Sequence, residues 1–403
     1  MIIRISVILC FSILVKADFE ERVTDPGILE DASLDTFTLI RKYEYPCEIH
    51  RVYTEDGYIL EMHRIPRGAG ARNDDSVRPV VFLQHGLLSS SAEWVLMRPG
   101  KGLAYILADA GYDVWMGNAR GNTYSRNHVS IKPTSSSFWT FSWHEIGYYD
   151  LPAMIDYVIK QTKVPKLHYV AFSQGTTVFW VMTSTRPEYN EKILSMHALA
   201  PVAFAGNIRS PLIRAIAPFT DTLEVVFKML GANEFLPNGK INELAGQRFC
   251  TEEAITQLLC TNLLFLICGF DEQQLNTTML PIVLGHTPAG ASSRQFVHFG
   301  QLYNSGQFRQ FDHGWFKNKR VYGTRKPPAY NLSAIEAPIF LHYAENDWLS
   351  TPSDVDKLWK GVKSVVGKFK VPLKGFNHLD FVFANDAKEL IYDRVINIMA
   401  YFN

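Results

Sequence analysis

The sequence predicts an α/β fold, with a mostly parallel central sheet flanked by helices and an inserted, mainly helical cap. Two observations support this prediction. From residue 78 to residue 204, apolar runs that end in turn residues alternate with helical patterns, as parallel strands and their crossover helices do. From 206 to 328 the alternation stops, and it returns afterwards. We therefore expect a core at 18–205 and 329–403, with the cap at 206–328.

The first 17 residues are predicted to be a secretory signal peptide. Arg4 precedes an apolar run, and Val15-Lys16-Ala17 matches a small-x-small cleavage site. The run is too short to cross a bilayer, which needs about 20 residues, and the alternative is a buried N-terminal helix. Two N-x-[ST] sequons, at Asn276 and Asn331, predict glycosylation. Together these features predict a secreted protein, with the lysosome as the alternative location.

The first part of the core is predicted to begin with a hairpin. The segment "CEIHRVYTEDGYILEMHRIP" (47–66) has two strand-like halves around a turn at 55–57. "RPVVFLQHG" (78–86) and "YDVWMGNARG" (112–121) are apolar strands that end in glycine-containing turns. The stretch between them, 93–111, is expected to be helical, which makes these two strands parallel neighbours.

The next segments are predicted to place a serine at a sharp turn. "DLPAMIDYVIKQT" (150–162) carries one apolar stripe at helical spacing, and Asp150 is expected to cap this helix. A strand, "KLHYVAF" (166–172), and a further helix follow it. The remaining predicted elements are strands at 193–204, 337–347 and 368–378 and a closing amphipathic helix at 386–402.

Ser173 stands between that strand and that helix, in "AFSQG". This is close to the G-x-S-x-G nucleophile elbow, in which small residues two before and two after the serine let strand and helix approach. Gly175 meets the requirement, and Ala171 adds one methyl group at the other position. An ordinary serine in a tight turn is the alternative.

A serine nucleophile needs a base, and the base needs an acid that orients it. In α/β-hydrolases these partners follow the serine in the order acid, histidine, on loops beyond the carboxyl ends of strands. Asp347 follows the apolar strand "IFLHYA", and His378 follows the next strand. Taken alone, each has a structural alternative, a capping aspartate or a surface histidine. Together they predict a triad of Ser173, Asp347 and His378.

Two backbone N–H groups are predicted to bind the oxyanion. One belongs to Gln174, directly after the nucleophile, and the other to Leu87 in "QHGLL", the loop after an earlier strand. His85 in that loop is expected to hold the loop by hydrogen bonds rather than to move protons.

With these residues the chain resembles the acid lipase family, which includes gastric and lysosomal acid lipases and secreted invertebrate relatives. Matching stretches include "QHGLLSSSAEW", "GNARGNTYSR", "HTPAGASSRQFVH", "ENDWLSTPSDV" and "NHLDFVFANDA". The resemblance implies the α/β-hydrolase fold, the same triad and oxyanion residues, and a cap over the site. It also implies hydrolysis of neutral lipid esters at a droplet or emulsion interface, without a cofactor.

The chain departs from the family pattern G-H-S-Q-G at Ala171 and Phe172. The histidine that Phe172 replaces is not the triad base, so the departure concerns the acidic pH optimum and the shape of the pocket. Three cysteines in one segment suggest a local disulfide. The resemblance implies the pair Cys250–Cys260, one residue further apart than in the family, which leaves Cys268 or Cys47 free.

Charge and composition limit the other functions. Lys plus Arg and Asp plus Glu both number 40, which gives no reason to expect a nucleic acid partner. The densest basic stretch, 316–326, is interpreted as a solvated loop. Arg120 is expected to be structural, because "NARGNTYSR" lacks phosphate-loop spacing. The apolar stretch 258–270 is interpreted either as a buried cap helix or as a lipid-docking surface.

The sequence thus predicts a serine hydrolase that cleaves the ester bonds of neutral lipids, with triacylglycerols or sterol esters as substrates. An esterase for soluble esters is the first alternative. A catalytically silent lipid-binding protein on the same scaffold is the second. No metal site is expected, because the cysteines and histidines lack metal-ligand spacing.

Overall fold

A computed structural model describes residues 26–72, 76–229, 231–236, 264–271 and 273–403. The predicted signal peptide (1–17) and the predicted pair Cys250–Cys260 lie outside the described residues. Cys47 and Cys268 lie inside them, and both are free thiols.

The described residues form a nine-stranded sheet and a separate pair of short strands. The sheet has the order β1-β2-β4-β3-β6-β7-β10-β11, with β5 paired to β2. The strands of the sheet are β1 (Glu48–Tyr53), β2 (Tyr58–Ile65), β3 (Val80–Gln84), β4 (Asp113–Gly117), β5 (Asn127–His128), β6 (Leu167–Phe172), β7 (Ile193–Leu199), β10 (Ile339–Tyr343) and β11 (Val365–Lys370). The separate pair is β8 (Glu234–Phe235) and β9 (Ala291–Ser292).

The sheet is mostly parallel, as predicted. Only the pairings of β2 with β1, β4 and β5 are antiparallel. From β4 through β3, β6, β7 and β10 to β11 every pairing is parallel. The predicted hairpin is confirmed, with Tyr53 opposite Ile59 and the Gly57 N–H bonded to the Thr54 carbonyl at 3.0 Å. The carboxyl ends of β6, β10 and β11 therefore meet at one edge.

Helices cover both faces of the sheet. The labelled α-helices are α1 (Pro26–Ser33), α2 (Thr36–Lys42), α3 (Leu103–Asp109), α4 (Leu151–Thr162), α5 (Gln174–Thr185), α6 (Pro211–Ile216), α7 (Thr220–Met229), α8 (Leu280–His286), α9 (Ser293–Ser305), α10 (Trp315–Tyr322), α11 (Pro352–Gly361), α12 (Asp380–Phe383) and α13 (Asp393–Met399). Nowhere in the described ranges is a helix long and apolar enough to cross a membrane.

The helix expected at 93–111 is shorter than predicted. The structure has a 3₁₀ turn at Ser91–Trp94 and the helix α3, Leu103–Asp109. Pro99 has no N–H to donate, and Gly100 takes a positive φ of 82°, so the backbone between the two pieces cannot continue a helix.

The predicted capping role of Asp150 is wrong. Asp150 has helical dihedrals and no capping hydrogen bond, and it lies in a π-helical turn, Ile146–Asp150, that leads into α4. Its two carboxylate oxygens instead accept from Arg120, from Nε at 2.7 Å and from the backbone N–H at 3.0 Å. Both side chains are buried. An unpaired buried carboxylate costs more free energy than a missing helix cap, so the pairing with Arg120 determines where the Asp150 side chain lies.

Helices α6 to α10 occupy the segment predicted as the cap, and its boundaries at 206 and 328 stay a prediction. The prediction of a loop at 316–326 is wrong for its first part, because α10 spans Trp315–Tyr322. The part of 258–270 that the structure describes fits both interpretations. Phe265 and Cys268 are buried, whereas Leu266 and Phe270 are exposed.

Candidate active site

Ser173 sits in a strained turn between β6 and α5. Its backbone has φ 52° and ψ −119°, a conformation that side-chain-bearing residues rarely adopt. The turn is fixed by two hydrogen bonds, from the Ser173 N–H to the Leu199 carbonyl at 3.0 Å and from the Thr176 N–H to the Ser173 carbonyl at 2.9 Å. The half-buried hydroxyl is thereby placed at the carboxyl edge of the sheet.

The two small residues around Ser173 are under different constraints. A Cβ atom at Gly175 would overlap the Gln84 carbonyl oxygen of β3, so α5 can pack against that strand only with glycine there. Ala171 is fully buried in β6, between Gln84 of β3 and Ala198 of β7. Its methyl group belongs to the hydrophobic core on one face of the sheet, so the elbow forms without a glycine at that position.

The three residues predicted as a triad lie within hydrogen-bond distance. His378 Nδ1 is 2.8 Å from Asp347 Oδ2, and His378 Nε2 is 2.8 Å from Ser173 Oγ. A carboxylate can only accept, so Nδ1 donates to Asp347 and Nε2 is left to accept from the serine hydroxyl. This tautomer is the one that a general base needs.

Asp347 is held by the loop after β10. Its Oδ1 accepts from the backbone N–H groups of Leu349, at 2.9 Å, and Ser350, at 2.7 Å. The Ser350 hydroxyl donates to the Pro201 carbonyl at 2.7 Å, which ties this loop to the segment after β7. Asp347 is fully buried. Because the two backbone N–H groups hold Oδ1, the other oxygen, Oδ2, faces the imidazole of His378.

The backbone around Gln174 and Leu87 is suited to binding an oxyanion. Gln174 is the first residue of α5, where an N–H has no intrahelical acceptor. Leu87 follows Gly86 in the loop after β3. His85 holds this loop: its Nδ1 donates to the Gly86 carbonyl at 2.7 Å, and its Nε2 accepts from the Ala119 N–H at 3.1 Å. Burial lowers the pKa of His85 to about 4, which keeps the ring neutral.

Glu93 is a second support of this loop that sequence reasoning missed. Its carboxyl oxygens lie 3.3 and 3.4 Å from the Gly86 N–H. Burial raises the pKa of Glu93 to about 8, which favours the uncharged carboxylic acid at neutral pH.

Phe172 fills the space beside the imidazole. Its ring centroid lies 4.9 Å from that of His378, and its Cδ1 would lie 3.0 Å from a Cβ atom at Gly86. The residue that departs from the family pattern therefore packs between the loop after β3 and the histidine, without a polar contact to either.

The segment 264–271 binds both loops that carry triad residues. The Cys268 carbonyl accepts from the Trp348 and His378 N–H groups, each at 3.3 Å. Asn377 Nδ2 donates to the Gly269 carbonyl at 3.0 Å, and Asn346 Nδ2 donates to the Phe270 carbonyl at 2.7 Å. Gly269 has φ 112°, and a Cβ there would overlap the Asn346 carbonyl oxygen. Sequence reasoning missed this contact, and its one visible signal is the glycine in "CGF".

A buried acidic residue also shapes the loop that carries His378. Asp380 Oδ2 accepts from the Asn377 N–H at 2.5 Å. Burial, reinforced by the neighbouring carboxyl groups of Asp271 and Asp347, raises the pKa of Asp380 to about 8. The motif "NHLDF" contains this aspartate, but nothing in its spacing indicates its protonation state.

The remaining predicted residues either serve another role or lie outside the described residues. Arg120 is buried and bonded to Asp56 and Asp150, which is the structural role expected. Asn331 is exposed and Asn276 half-buried. No cluster of three His, Cys, Asp or Glu side chains suited to a metal occurs among the residues that the structure describes.

Sequence comparison places the chain among known hydrolases. The family described as the α/β hydrolase fold matches residues 79–384, and the family described as a partial α/β-hydrolase lipase region matches 36–98. "Lipase 1" of Drosophila melanogaster is 46% identical over 382 residues, which cover 94% of this chain and 83% of the relative. "Gastric triacylglycerol lipase" of Rattus norvegicus is 41% identical over 372 residues, 92% of each chain.

Structural comparison agrees on the fold. A Sulfolobus solfataricus protein described as a candidate lipase superposes with a TM-score of 0.59 at 15% identity. The superposition covers 89% of this chain and 95% of the other. At this identity the match speaks for the architecture alone.

Proposed function

Because this chain is an acid lipase of the α/β hydrolase fold family, and so a carboxylic ester hydrolase, we propose that it hydrolyses triacylglycerols with a triad of Ser173, His378 and Asp347. One observation carries the proposal: both hydrogen bonds of the Asp347–His378–Ser173 chain are 2.8 Å long. Lipid esters are the substrate class of the family, and relatives named gastric triacylglycerol lipase are about 40% identical over nine-tenths of the chain.

The proposed reaction passes through an acyl-enzyme. Ser173 Oγ attacks the ester carbonyl carbon while His378 Nε2 takes the hydroxyl proton, and Asp347 stabilises the imidazolium. The N–H groups of Leu87 and Gln174 donate to the oxyanion of the tetrahedral intermediate. His378 then gives the proton to the leaving alkoxide. Water attacks the acyl-enzyme in the same way and releases the fatty acid.

The surface of the cap favours a substrate held in a lipid interface. Large apolar side chains of α6, α7 and the turn between them are exposed, including those of Ile216 (45%), Phe219 (61%), Val225 (50%) and Met229 (81%). An apolar patch of this kind marks an interaction surface rather than an ordinary solvated face. A contact joins the cap to the proposed oxyanion site, since Gln174 Nε2 donates to Gln295 Oε1 of α9 at 2.7 Å.

The test compares emulsified long-chain triacylglycerol with a dissolved short-chain ester, from about pH 4 to 8, where a histidine base titrates. We expect activity that rises when droplets form and that disappears in Ser173→Ala. A fluorophosphonate should label Ser173 stoichiometrically. Activity on the dissolved ester alone would indicate an esterase. A folded chain that is silent on both substrates would indicate a lipid-binding protein.

We further propose that the chain is secreted, with the lysosome as the alternative, and that it carries glycans at Asn276 and Asn331 and a Cys250–Cys260 disulfide. The predicted signal peptide and the exposed side chain of Asn331 support this proposal. Expression in insect cells, N-terminal sequencing and treatment with an endoglycosidase would test it, and a retained N-terminus would contradict it.

A further inference from the structure

Helix α10, Trp315–Tyr322, is fixed to the cap along one side only. Buried Asn318 closes the segment: its Oδ1 accepts from the His313 N–H at 2.9 Å, and its Nδ2 donates to Asp312 Oδ1 at 2.8 Å and to the Arg325 carbonyl at 2.9 Å. The Tyr322 hydroxyl donates to the Phe311 carbonyl at 2.9 Å. These bonds hold the helix in one orientation and leave its other side to solvent.

The outer side of α10 is apolar and cationic at once. Phe316 and Arg320 are one turn apart and project opposite Asn318, and Phe316 is 84% exposed. Trp315 packs edge-on against Phe316 at 4.4 Å between ring centroids, and Arg325 lies over the Trp315 ring at 4.4 Å. A single exposed apolar residue is common on protein surfaces. Two adjoining aromatic rings with cations beside them form a surface that can contact apolar groups and anions together.

The charged side chains of this stretch are all basic. From His313 to Ile335 the sequence contains no Asp or Glu, although acidic and basic residues are equal in number over the whole chain. All five cations of this stretch are exposed, namely Lys317, Lys319, Arg320, Arg325 and Lys326. Within the described part of the chain, no salt bridge involves Lys319, Arg320, Arg325 or Lys326. We call the aromatic pair Trp315–Phe316 and these five cations the basic aromatic surface.

The basic aromatic surface adjoins the apolar face of the cap. Lys317 of α10 and Glu224 and Phe227 of α7 line one cavity, so the two helices are neighbours. Helix α7 also carries the exposed Val225 and Met229. Cations therefore flank the face that the proposed function directs at lipid.

We propose that the basic aromatic surface anchors the protein to the negatively charged surface of a lipid droplet, where the charge comes from fatty acid carboxylates. The proposal rests on the proposed function, since fatty acids are the products of that reaction and gather at the droplet surface. Aromatic rings settle at the level of polar head groups, while Lys and Arg bind the anions around them. The anchor would make binding increase as hydrolysis proceeds.

The test measures droplet binding in the Ser173→Ala chain, which cannot change the droplet during the assay. Triolein droplets coated with phosphatidylcholine are prepared with and without oleate, at about pH 8, where carboxylates are ionised. We expect Phe316→Ala/Arg320→Gln to weaken binding to oleate droplets about tenfold and binding to neutral droplets by less, because only the loss of Arg320 depends on the droplet charge. Added salt should reduce the difference in affinity between the parent and the double variant on oleate droplets, because it screens the attraction between exposed charges. The matched control is Tyr401→Ala/Lys360→Gln, which removes one exposed ring and one exposed cation elsewhere.

Three results would overturn the proposal: equal binding of the unsubstituted surface to both droplets, an equal loss in the control, or binding to heparin with none to oleate droplets. The last would assign the surface to a polyanion. Hydrolysis of a dissolved ester by the double variant with Ser173 intact should be unchanged, which shows that the variant folds. Failure of triacylglycerol hydrolysis in the unsubstituted enzyme would refute the proposed function alone, because the binding assay needs no turnover.

Discussion

Asp380 lies two residues after the proposed catalytic base, and its protonation should determine how stable this loop is at a given pH. The pKa of Asp380 is raised to about 8 by burial and by the carboxyl groups of Asp271 and Asp347. A raised pKa means that the folded state binds the proton more tightly than the unfolded state. Its stabilising effect is thus complete below about pH 4 and is lost as the pH rises toward 8.

We therefore expect Asp380→Asn to match the parent at about pH 4 and to be increasingly more stable than the parent up to about pH 8. Asparagine can accept from the Asn377 N–H, as Asp380 does, without ionising. Thermal melting of both proteins across this range measures the effect. A constant difference between the two melting temperatures would contradict this assignment of the proton.

For single residues, the sequence predicts the three members of the proposed triad but not the buried side chains that support their loops. Ser173, Asp347 and His378 follow from their order along the chain and their positions after strands. Glu93 and Asp380 could not be predicted, because their raised pKa values come from burial by segments distant in sequence. The phenylalanine at 172 likewise fits because Gly86 has no side chain, since a Cβ atom there would lie 3.0 Å from the Phe172 ring. This contact could not be predicted from the sequence.

Among the elements, the junction of β6 and α5 depends on one glycine. We expect Gly175→Ala to prevent soluble expression or to destabilise the protein by more than the roughly 1–3 kcal/mol typical of overpacking, because its Cβ meets a backbone oxygen of β3 that cannot move aside. The matched variant Ala171→Gly should fold, at a cost of about 1 kcal/mol or less, and keep its esterase activity. Chemical denaturation and ester hydrolysis measure both. Equal effects of the two substitutions would contradict this account of the elbow.

The entry to α4 depends on a buried charge pair. Arg120 is 1% exposed, and its removal would leave Asp150 buried and unpaired, which costs about 3–5 kcal/mol. We expect Arg120→Ala to lower the free energy of unfolding by that amount, and Arg120→Lys by less, because lysine keeps the charge but not the fork that reaches Asp56 as well. Urea denaturation tests this order. An alanine variant as stable as the lysine variant would refute it.

Buried strands and the exposed helix α10 differ in how well the sequence predicts them. Strands β3, β4, β6, β7 and β10 were predictable because they are continuous, buried apolar runs. The strand predicted at 368–378 is wrong in its bounds, since β11 spans Val365–Lys370 and is only half-buried. The cap helix α10 was predicted as a loop, because its charged and aromatic residues carry no apolar stripe. The bonds that hold it come from Asn318 and Tyr322, and polar anchors of this kind leave no periodic signal.

For the whole molecule, two sets of buried groups oppose each other as the pH changes. Among the described residues, burial lowers the pKa of seven histidines, so their stabilising effect is present above about pH 6.5 and is lost on acidification. These histidines are His85, His144, His168, His197, His298, His313 and His342. Burial raises the pKa of Asp150 to about 6 and those of Glu93 and Asp380 to about 8, so the effect of Asp150 is lost as the pH rises toward 6 and that of the other two as it rises toward 8. We expect the melting temperature to be highest between about pH 6 and 7, as scanning calorimetry would show. A melting temperature that changes in one direction from about pH 4 to 9 would contradict this balance.

The carbonyl group of Cys268 accepts from the loop that carries Asp347 and from the loop that carries His378. A substitution that shifts residues 268–270 would therefore displace both loops together. The side chains of Asn346 and Asn377 add hydrogen bonds to the neighbouring carbonyl groups of Phe270 and Gly269. One carbonyl group thus joins the inserted segment to both loops that carry proposed triad residues.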